Sequence, residues 1–374
     1  MARRRARSRG LSAKQWTMLA YIAGDNNLSD NGLEDIQEMC DVGASRRAHV
    51  GVQIDTEGEH DGAIRYEISP PDATGVAHRV VIDRLEEPDS GNPEVLYDFL
   101  RWGLRRYPAR RRLVVVWNHG AGFRTARRDI AFDDYGTSLD MSELQRALRR
   151  AGLGPRNKLA ILGFDACLMS MLEIAYQLRN ETEFIVGSQQ TEPGDGWPYD
   201  QVLRVMNSAP APEQMARQIV RQYMRACRAA GDSNVTQSAV NTRRVEAAVR
   251  AWSQMGDALA AAVSAEVAAV RRVRSLVQAY EYPDYVDAVH AARLFARLTR
   301  SAAVRTRARA FESAVRRCVV ATAYDGGAVR ESHGLTIWFP PDRRQYLEYR
   351  AKYTAMDFSA PYPGWVRFLD ALHG

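Results

Sequence analysis

Two short apolar runs, each ending abruptly in a reactive side chain, constrain the fold of this chain more than any other feature. The first run, residues 113–117, is followed by Asn-His-Gly, and the second, residues 159–164, is followed by Asp-Ala-Cys. Aliphatic runs of this length, closed by small or polar residues, are typical of strands buried in a parallel sheet. The carboxyl ends of such strands lie along one edge of an open α/β sheet, where these sheets form their sites. The sequence therefore predicts that His119 and Cys167 lie close together.

A histidine beside a cysteine has a specific chemical use. The imidazole can take the thiol proton to make a nucleophilic thiolate, and can later protonate a leaving amine. We predict that Cys167 is the nucleophile and His119 the general base and acid. We also expect a helix from 168 to 179, whose N-terminus would lower the pKa of the Cys167 thiol. The two motifs together favour a cysteine hydrolase.

These motifs resemble the clostripain family of cysteine peptidases, relatives of caspases, gingipains and legumain. Segments 16–28, 187–199 and 334–340 extend the resemblance, which spans roughly residues 15 to 205 with the one later patch. It implies an α/β fold with a caspase-like, mainly parallel sheet sandwiched by helices. It also implies protein or peptide substrates, which are hydrolysed through an acyl-enzyme.

The same resemblance assigns residues around the dyad. The backbone N–H groups of Gly120 and Cys167 would form the oxyanion hole. Asp165 would line the S1 pocket, which receives the residue before the scissile bond (P1), and would select arginine, with lysine as an alternative. Asp195 is the second S1 candidate, beside Trp197, although a glycine-flanked aspartate is also typical of a turn.

Relatives are matured by a cut after a basic residue between the two catalytic strands. The segment that follows the histidine strand offers Arg124, Arg127 and Arg128 as cleavage sites, with Arg127 and Arg128 preferred. The chain would then be a zymogen that processes itself. Two alternatives are an ordered loop that is never cut and control by an activating or inhibitory protein partner.

No cofactor is required by the sequence. The acidic stretch 25–30 fails the EF-hand pattern, because its sixth position is Asp30 where a glycine is needed. Ser29 or Asp30 is expected to cap the following helix instead. Some relatives use calcium, so calcium dependence stays open. The four cysteines are far apart and form no CxxC pair, which predicts neither a zinc site nor a redox pair.

The net charge of +6 comes mostly from the start of the chain. Five arginines lie in the first ten residues, and the remainder has 46 basic against 45 acidic residues. Residues 1–12 are expected to be a disordered basic tail. Residues 243–318 are locally basic, which raises the alternative of a non-catalytic module that binds a protein partner or nucleic acid there. With 48 arginines and only 3 lysines in the chain, a solvated helix surface is the simpler interpretation.

Location and domain organisation follow from the same pattern. No apolar run reaches the roughly 18 residues of a membrane helix, and no signal peptide is evident, so we expect a cytoplasmic protein without membrane contact. Alternating strands and helices predict a catalytic domain over 13–240. Residues 241–374 form a mostly helical region, with a strand near 334–340 that returns to the sheet. A dinucleotide-binding enzyme is disfavoured, because the turn at 23–26 is not glycine-rich.

Overall fold

The computed structural model describes residues 13–57, 62–86, 88–124, 130–132 and 136–374. The predicted tail and the cleavage candidates Arg127 and Arg128 lie outside these residues.

Within them, nine strands form one large sheet in the order β10-β8-β7-β6-β5-β1-β2-β3-β4. The five central strands are parallel to one another, and two antiparallel strands follow on each side. The strands of this sheet are β1 (Lys14–Gly24), β2 (Ala48–Thr56), β3 (Ile64–Ile68), β4 (Arg79–Arg84), β5 (Ala109–Trp117), β6 (Leu159–Asp165), β7 (Thr182–Gly187), β8 (Val235–Asn241) and β10 (Val319–Asp325). The predicted fold class, a mostly parallel α/β sheet between helices, is confirmed.

Helices cover both faces of the sheet. They are α1 (Ser29–Val42), α2 (Pro93–Arg106), α3 (Met141–Arg150), α4 (Leu172–Gln177), α5 (Tyr199–Asn207), α6 (Pro212–Ala230), α7 (Val245–Leu276), α8 (Ala288–Leu298), α9 (Ala302–Cys318), α10 (Arg343–Ala355) and α11 (Gly364–His373). Among the described residues, no helix is long and apolar enough to cross a membrane.

Alternate side chains of the central strands pack into two separate hydrophobic cores, one on each face of the sheet. In β1, Leu19 and Tyr21 point to one core, and Met18 and Ala20 point to the other. Helices α1, α5 and α6 cover the second core, while α2, α3, α4 and the helices after residue 241 cover the first. Burial on both faces explains why the central strands are nearly continuous apolar runs. The C-terminal helices thus share a core with the catalytic strands.

Two predictions about the C-terminal region are wrong. The strand predicted near 334–340 is β11 (Thr336–Trp338), and it pairs antiparallel with β9 (Tyr285–Asp287) in a separate two-stranded sheet. Within the region predicted to be mostly helical, the segment after α9 is instead strand β10, which adds to the edge of the main sheet beside β8. Its short Val-Val-Ala-Thr run has no period long enough to distinguish strand from helix.

Candidate active site

The two reactive side chains follow strand ends that lie side by side. Strands β5 and β6 pair in parallel with Trp117 opposite Asp165. One residue further, the Asn118 N–H donates to the Asp165 carbonyl at 3.2 Å. His119 and Cys167 consequently line one cavity of about 120 Å³, together with Asp165, as the strand-end motifs predict.

The imidazole of His119 is oriented by an amide. Its Nε2 lies 2.9 Å from Asn27 Oδ1. An amide oxygen only accepts, so Nε2 carries the hydrogen in this bond and Nδ1 holds the lone pair that can act as a base. The sequence of this acidic and amide-rich stretch suggested only calcium binding or helix capping. It gave no reason to expect that Asn27 contacts His119.

Neighbouring amides build the loop that presents Asn27. Asn26 Nδ2 donates to the carbonyls of Ala23 (3.0 Å) and Phe132 (3.1 Å), and Asn26 Oδ1 accepts from the Leu28 N–H at 3.0 Å. The Asn118 amide also bonds both backbone groups of Phe132. These hydrogen bonds hold the loop that contains Asn26 and the segment at Phe132 together beside His119.

The predicted helix cap is wrong, because Leu28 occupies the N-cap position of α1 and makes no side-chain cap bond. Across the described residues, no group of three or more His, Cys, Asp or Glu side chains could hold a metal ion.

Cys167 does not stand at a helix N-terminus. Leu168 adopts a left-handed backbone (φ 64°), which turns the chain sharply, and α4 begins only at Leu172. The Cys167 Sγ accepts a hydrogen bond from the Glu192 N–H at 3.3 Å. Burial raises the pKa of the Cys167 thiol, and the nearby Asp165 and Glu281 charges add to this. The expected lowering of the thiol pKa by a helix N-terminus is therefore wrong.

Gly120 packs directly on the nucleophile. A Cβ added there would lie 3.0 Å from Cys167 N and closer still to the Cys167 carbonyl oxygen. Only a residue without a side chain fits between the two backbones. This close approach of the Gly120 and Cys167 backbones is compatible with the oxyanion hole that the sequence suggested.

Asp165 lies at the inner wall of the cavity and is 4% exposed. Its Oδ2 accepts from the Tyr199 hydroxyl at 2.8 Å and from the Trp197 N–H at 3.2 Å. Burial raises the pKa of Asp165 to about 6, although these hydrogen bonds oppose the rise. Gly196, with φ of +57°, brings the loop against the carboxyl without a side chain in between. The carboxyl of Asp165 is thus held firmly beside Cys167.

The other two S1 candidates contribute differently. The Trp197 ring is fully buried against Gly163 in the second core, so the site uses its backbone N–H and not its ring as a wall. Asp195 is exposed and acts on this region through its charge, which helps to raise the pKa of Asp35. The sequence pattern gave no reason to select Glu192, which lines the same cavity as Asp165 and Cys167.

The segment after the histidine is inserted into an aromatic box made by Tyr282, Tyr285, Trp338, Tyr349 and Tyr353. The Ala121 carbonyl accepts from the Tyr285 hydroxyl at 2.6 Å, and the Phe123 ring packs against both Trp338 and Tyr353.

Arg124 completes this contact. Its guanidinium pairs with Asp284 at 2.6 Å, where the two side chains are 11% and 0% exposed, and it stacks on Tyr282 and Tyr349. A P1 residue must reach the S1 pocket, so Arg124, one of the predicted cleavage sites, is not available for cutting in this conformation.

Comparison with known proteins supplies independent information. A sequence model of the clostripain family matches residues 20–371. Clostripain from Hathewaya histolytica is 27% identical over 219 residues, which are 50% of this chain and 41% of that protein, so the chain spans less than half of that relative.

Two solved structures share the fold. One is a secreted C11 cysteine protease from Bacteroides thetaiotaomicron in complex with an irreversible peptide inhibitor (TM-score 0.70, 21% identity, 92% of this chain and 98% of that chain). The other is an inactive zymogen C11 protease from Parabacteroides distasonis (TM-score 0.73, 18% identity, 94% and 99%).

Proposed function

The chain belongs to the clostripain family of cysteine peptidases, and on this premise we propose that it is an endopeptidase that cleaves after arginine through Cys167 and His119. Lysine at P1 is the alternative to arginine. The observation that carries the proposal is the single cavity in which His119, Cys167 and Asp165 meet at the ends of paired strands.

The reaction follows from the residues at this edge. When a peptide fills the cavity, His119 Nδ1 takes the proton of the half-buried thiol, and Cys167 Sγ attacks the scissile carbonyl. The N–H groups of Gly120 and Cys167 stabilise the oxyanion. His119 then gives the proton to the leaving amine, and water, activated by the same imidazole, releases the acyl group. Because burial raises the pKa of the resting thiol, the proton transfer to His119 is a step of catalysis and not a preset condition.

Arginine specificity rests on the carboxyl of Asp165. A guanidinium carries its charge at any working pH and can bond a carboxylate through two parallel N–H groups. Asp165 is nearly inaccessible, so an ion pair formed there would be shielded from water. Asp195 would contribute by charge from the exposed loop.

We further propose that the chain matures itself by a cut after Arg127 or Arg128. The burial of Arg124 in its ion pair supports a cut beyond it. The fold is shared with a Parabacteroides distasonis protein described as an inactive zymogen. An activating or inhibitory protein partner is the alternative switch, and the cellular location stays a prediction, because one protein of the same fold is described as secreted.

A panel of fluorogenic peptides varied at P1 tests the activity, with Cys167→Ala, His119→Ala and the double variant as controls. Each single change should remove several orders of magnitude, and the double change little more, because the two residues act as one unit. Turnover by Cys167→Ala at the wild-type level would refute the nucleophile, and cleavage after Leu or Asp as fast as after Arg would refute the pocket.

Intact mass and N-terminal sequencing test the maturation. Wild type should give two fragments with a new N-terminus at Arg128 or Asp129, while Cys167→Ala should stay whole. A wild-type chain that is fully active while unbroken would exclude cleavage as the activating step. The competing non-catalytic module is not favoured, because a binding role gives no reason for an oriented His119 to share a cavity with the half-buried Cys167 thiol.

A further inference from the structure

The S1 cavity contains more buried negative charge than one aspartate. Glu192 follows β7 and lines the cavity together with Asp165 and Cys167. Its Oε1 accepts from Gln237 Nε2 at 3.0 Å, while its Oε2 is buried and accepts from no donor among the described residues. The carboxyl of Asp165 lines the same cavity, and its charge helps to raise the pKa of Glu192. Two carboxyl groups can share a hydrogen bond only if one of them holds a proton.

Among the residues that the structure describes, the groups that act on the pair include no arginine or lysine. Several titratable side chains interact electrostatically with this part of the site. They are Asp35 and Glu38 of α1, Asp195, Tyr199 of α5, Tyr223 and Cys227 of α6, and Cys167. His119 lines the same cavity. None of these groups, all from the described part of the chain, is an arginine or lysine. Asp35 is 3% exposed, and its Oδ2 likewise has no donor.

The described lining of the pocket is therefore acidic, with Asp165 and Glu192 as its carboxyl groups. Like charges in contact away from water do not both ionise, so the pair retains a proton until a cation arrives. A guanidinium is the cation that fits, because it stays charged and offers several N–H donors to two carboxylates at once.

We propose that Glu192 is the second anionic residue of the S1 pocket, which shares one proton with Asp165 when the pocket is empty and releases it to solvent when a P1 arginine enters. The inference rests on the proposed arginine specificity and adds a residue and a proton to it. No bond is broken apart from the carboxyl O–H, and the guanidinium replaces the proton as the partner of both carboxylates.

The proposal predicts the direction in which the affinity for an arginine peptide changes with pH. Burial raises the pKa of Asp165 to about 6, and burial together with the Asp165 charge raises the pKa of Glu192 well above its ordinary value. Near pH 7 the empty pair holds about one proton, and binding of arginine should release it. The dissociation constant of an arginine peptide should then fall by up to about tenfold per pH unit as the pH rises above 6. The dependence levels off once the empty pair itself ionises.

Calorimetry on the inactive Cys167→Ala protein measures that proton directly. A short peptide amide with arginine at P1 is titrated at pH 7 in phosphate and in Tris, and the difference in apparent enthalpy gives the number of protons released. The matched variant is Glu192→Gln, which keeps the bond from Gln237, donates an N–H to Asp165 and imitates the protonated carboxyl. Glu281→Gln is the control, because it removes an exposed carboxylate near the same thiol.

The parent and Glu281→Gln should release about one proton per peptide, and Glu192→Gln none. The affinity of Glu192→Gln should match the parent near pH 5.5 and be weaker than the parent at pH 8. Arginine binding without proton release by the parent, or the same release by Glu192→Gln, would overturn the inference while leaving arginine specificity intact. If the arginine peptide binds no better than its citrulline counterpart, the arginine pocket itself fails and this inference with it.

Discussion

Replacement of Gly120 by alanine tests whether the two catalytic backbones must touch. The added Cβ would lie 3.0 Å from Cys167 N and 3.1 Å from Ala166 Cβ, and closer still to the Cys167 carbonyl oxygen. These atoms are backbone atoms or a Cβ next to the backbone, so no flexible side chain can move aside.

The size of the effect follows from the displacement required. Ordinary non-bonded contacts of carbon are about 3.5 Å or longer, so the two loops must separate by roughly 1 Å. A misplacement of about 1 Å at a reacting centre costs about 10²-fold in rate. Overpacking of this kind should also lower the free energy of unfolding by about 1–3 kcal/mol.

The assay is kcat/KM on an arginine peptide together with thermal unfolding. Gly154→Ala is the matched control, because a Cβ at Gly154 meets no atom within 4 Å. Gly120→Ala should lose about 10²-fold in kcat/KM while it remains folded, and Gly154→Ala should resemble wild type. Wild-type turnover by a folded Gly120→Ala enzyme would refute the geometry described for the site.

Three further predictions concern single side chains of the site. Asp165→Asn keeps the size but not the charge, so transition-state binding of arginine peptides should weaken by about 2–5 kcal/mol, measured as kcat/KM; unchanged turnover would contradict an ion pair there. Asn27→Ala removes the acceptor for His119 Nε2 and should lower kcat by about 10²-fold with KM nearly constant, whereas a change in KM alone would speak against orientation of the imidazole. Because burial raises the pKa of Cys167, its thiolate fraction is low at neutral pH, and alkylation by iodoacetamide should rise only above the range of an ordinary thiol, about 8.5; a midpoint below that value would indicate a thiol activated at rest.

The sequence was sufficient to predict helices and strands that are determined by residues close together in the chain. The start of the helix Pro93–Arg106 is set by adjacent residues, because Asn92 accepts from the Glu94 N–H and Pro93 occupies the first turn. The parallel strands were predicted because burial on both faces requires an uninterrupted apolar run. Since β5 and β6 are neighbours, the meeting of His119 and Cys167 followed from the same signal.

What the sequence did not predict depends on contacts between distant segments. The three-residue strand β9, and the pairing of β11 with it instead of with the main sheet, depend on the contact between these two segments. The turn at Leu168 that delays α4 is fixed by its bond to the Gln190 carbonyl, 22 residues away. Asn27 and Glu192 have roles only through the side chains they meet, His119 and Asp165, so composition and spacing gave no reason to select them.

The aromatic box around residues 121–124 has a practical consequence for anyone who handles this protein. A chain cut beyond Arg124 would still have its histidine-bearing piece fastened by the Arg124–Asp284 pair and the Phe123 ring to the far end of the molecule. The nicked protein would keep its size on a gel-filtration column, and a C-terminal affinity tag would retrieve both pieces together. Only a denaturing gel would separate them.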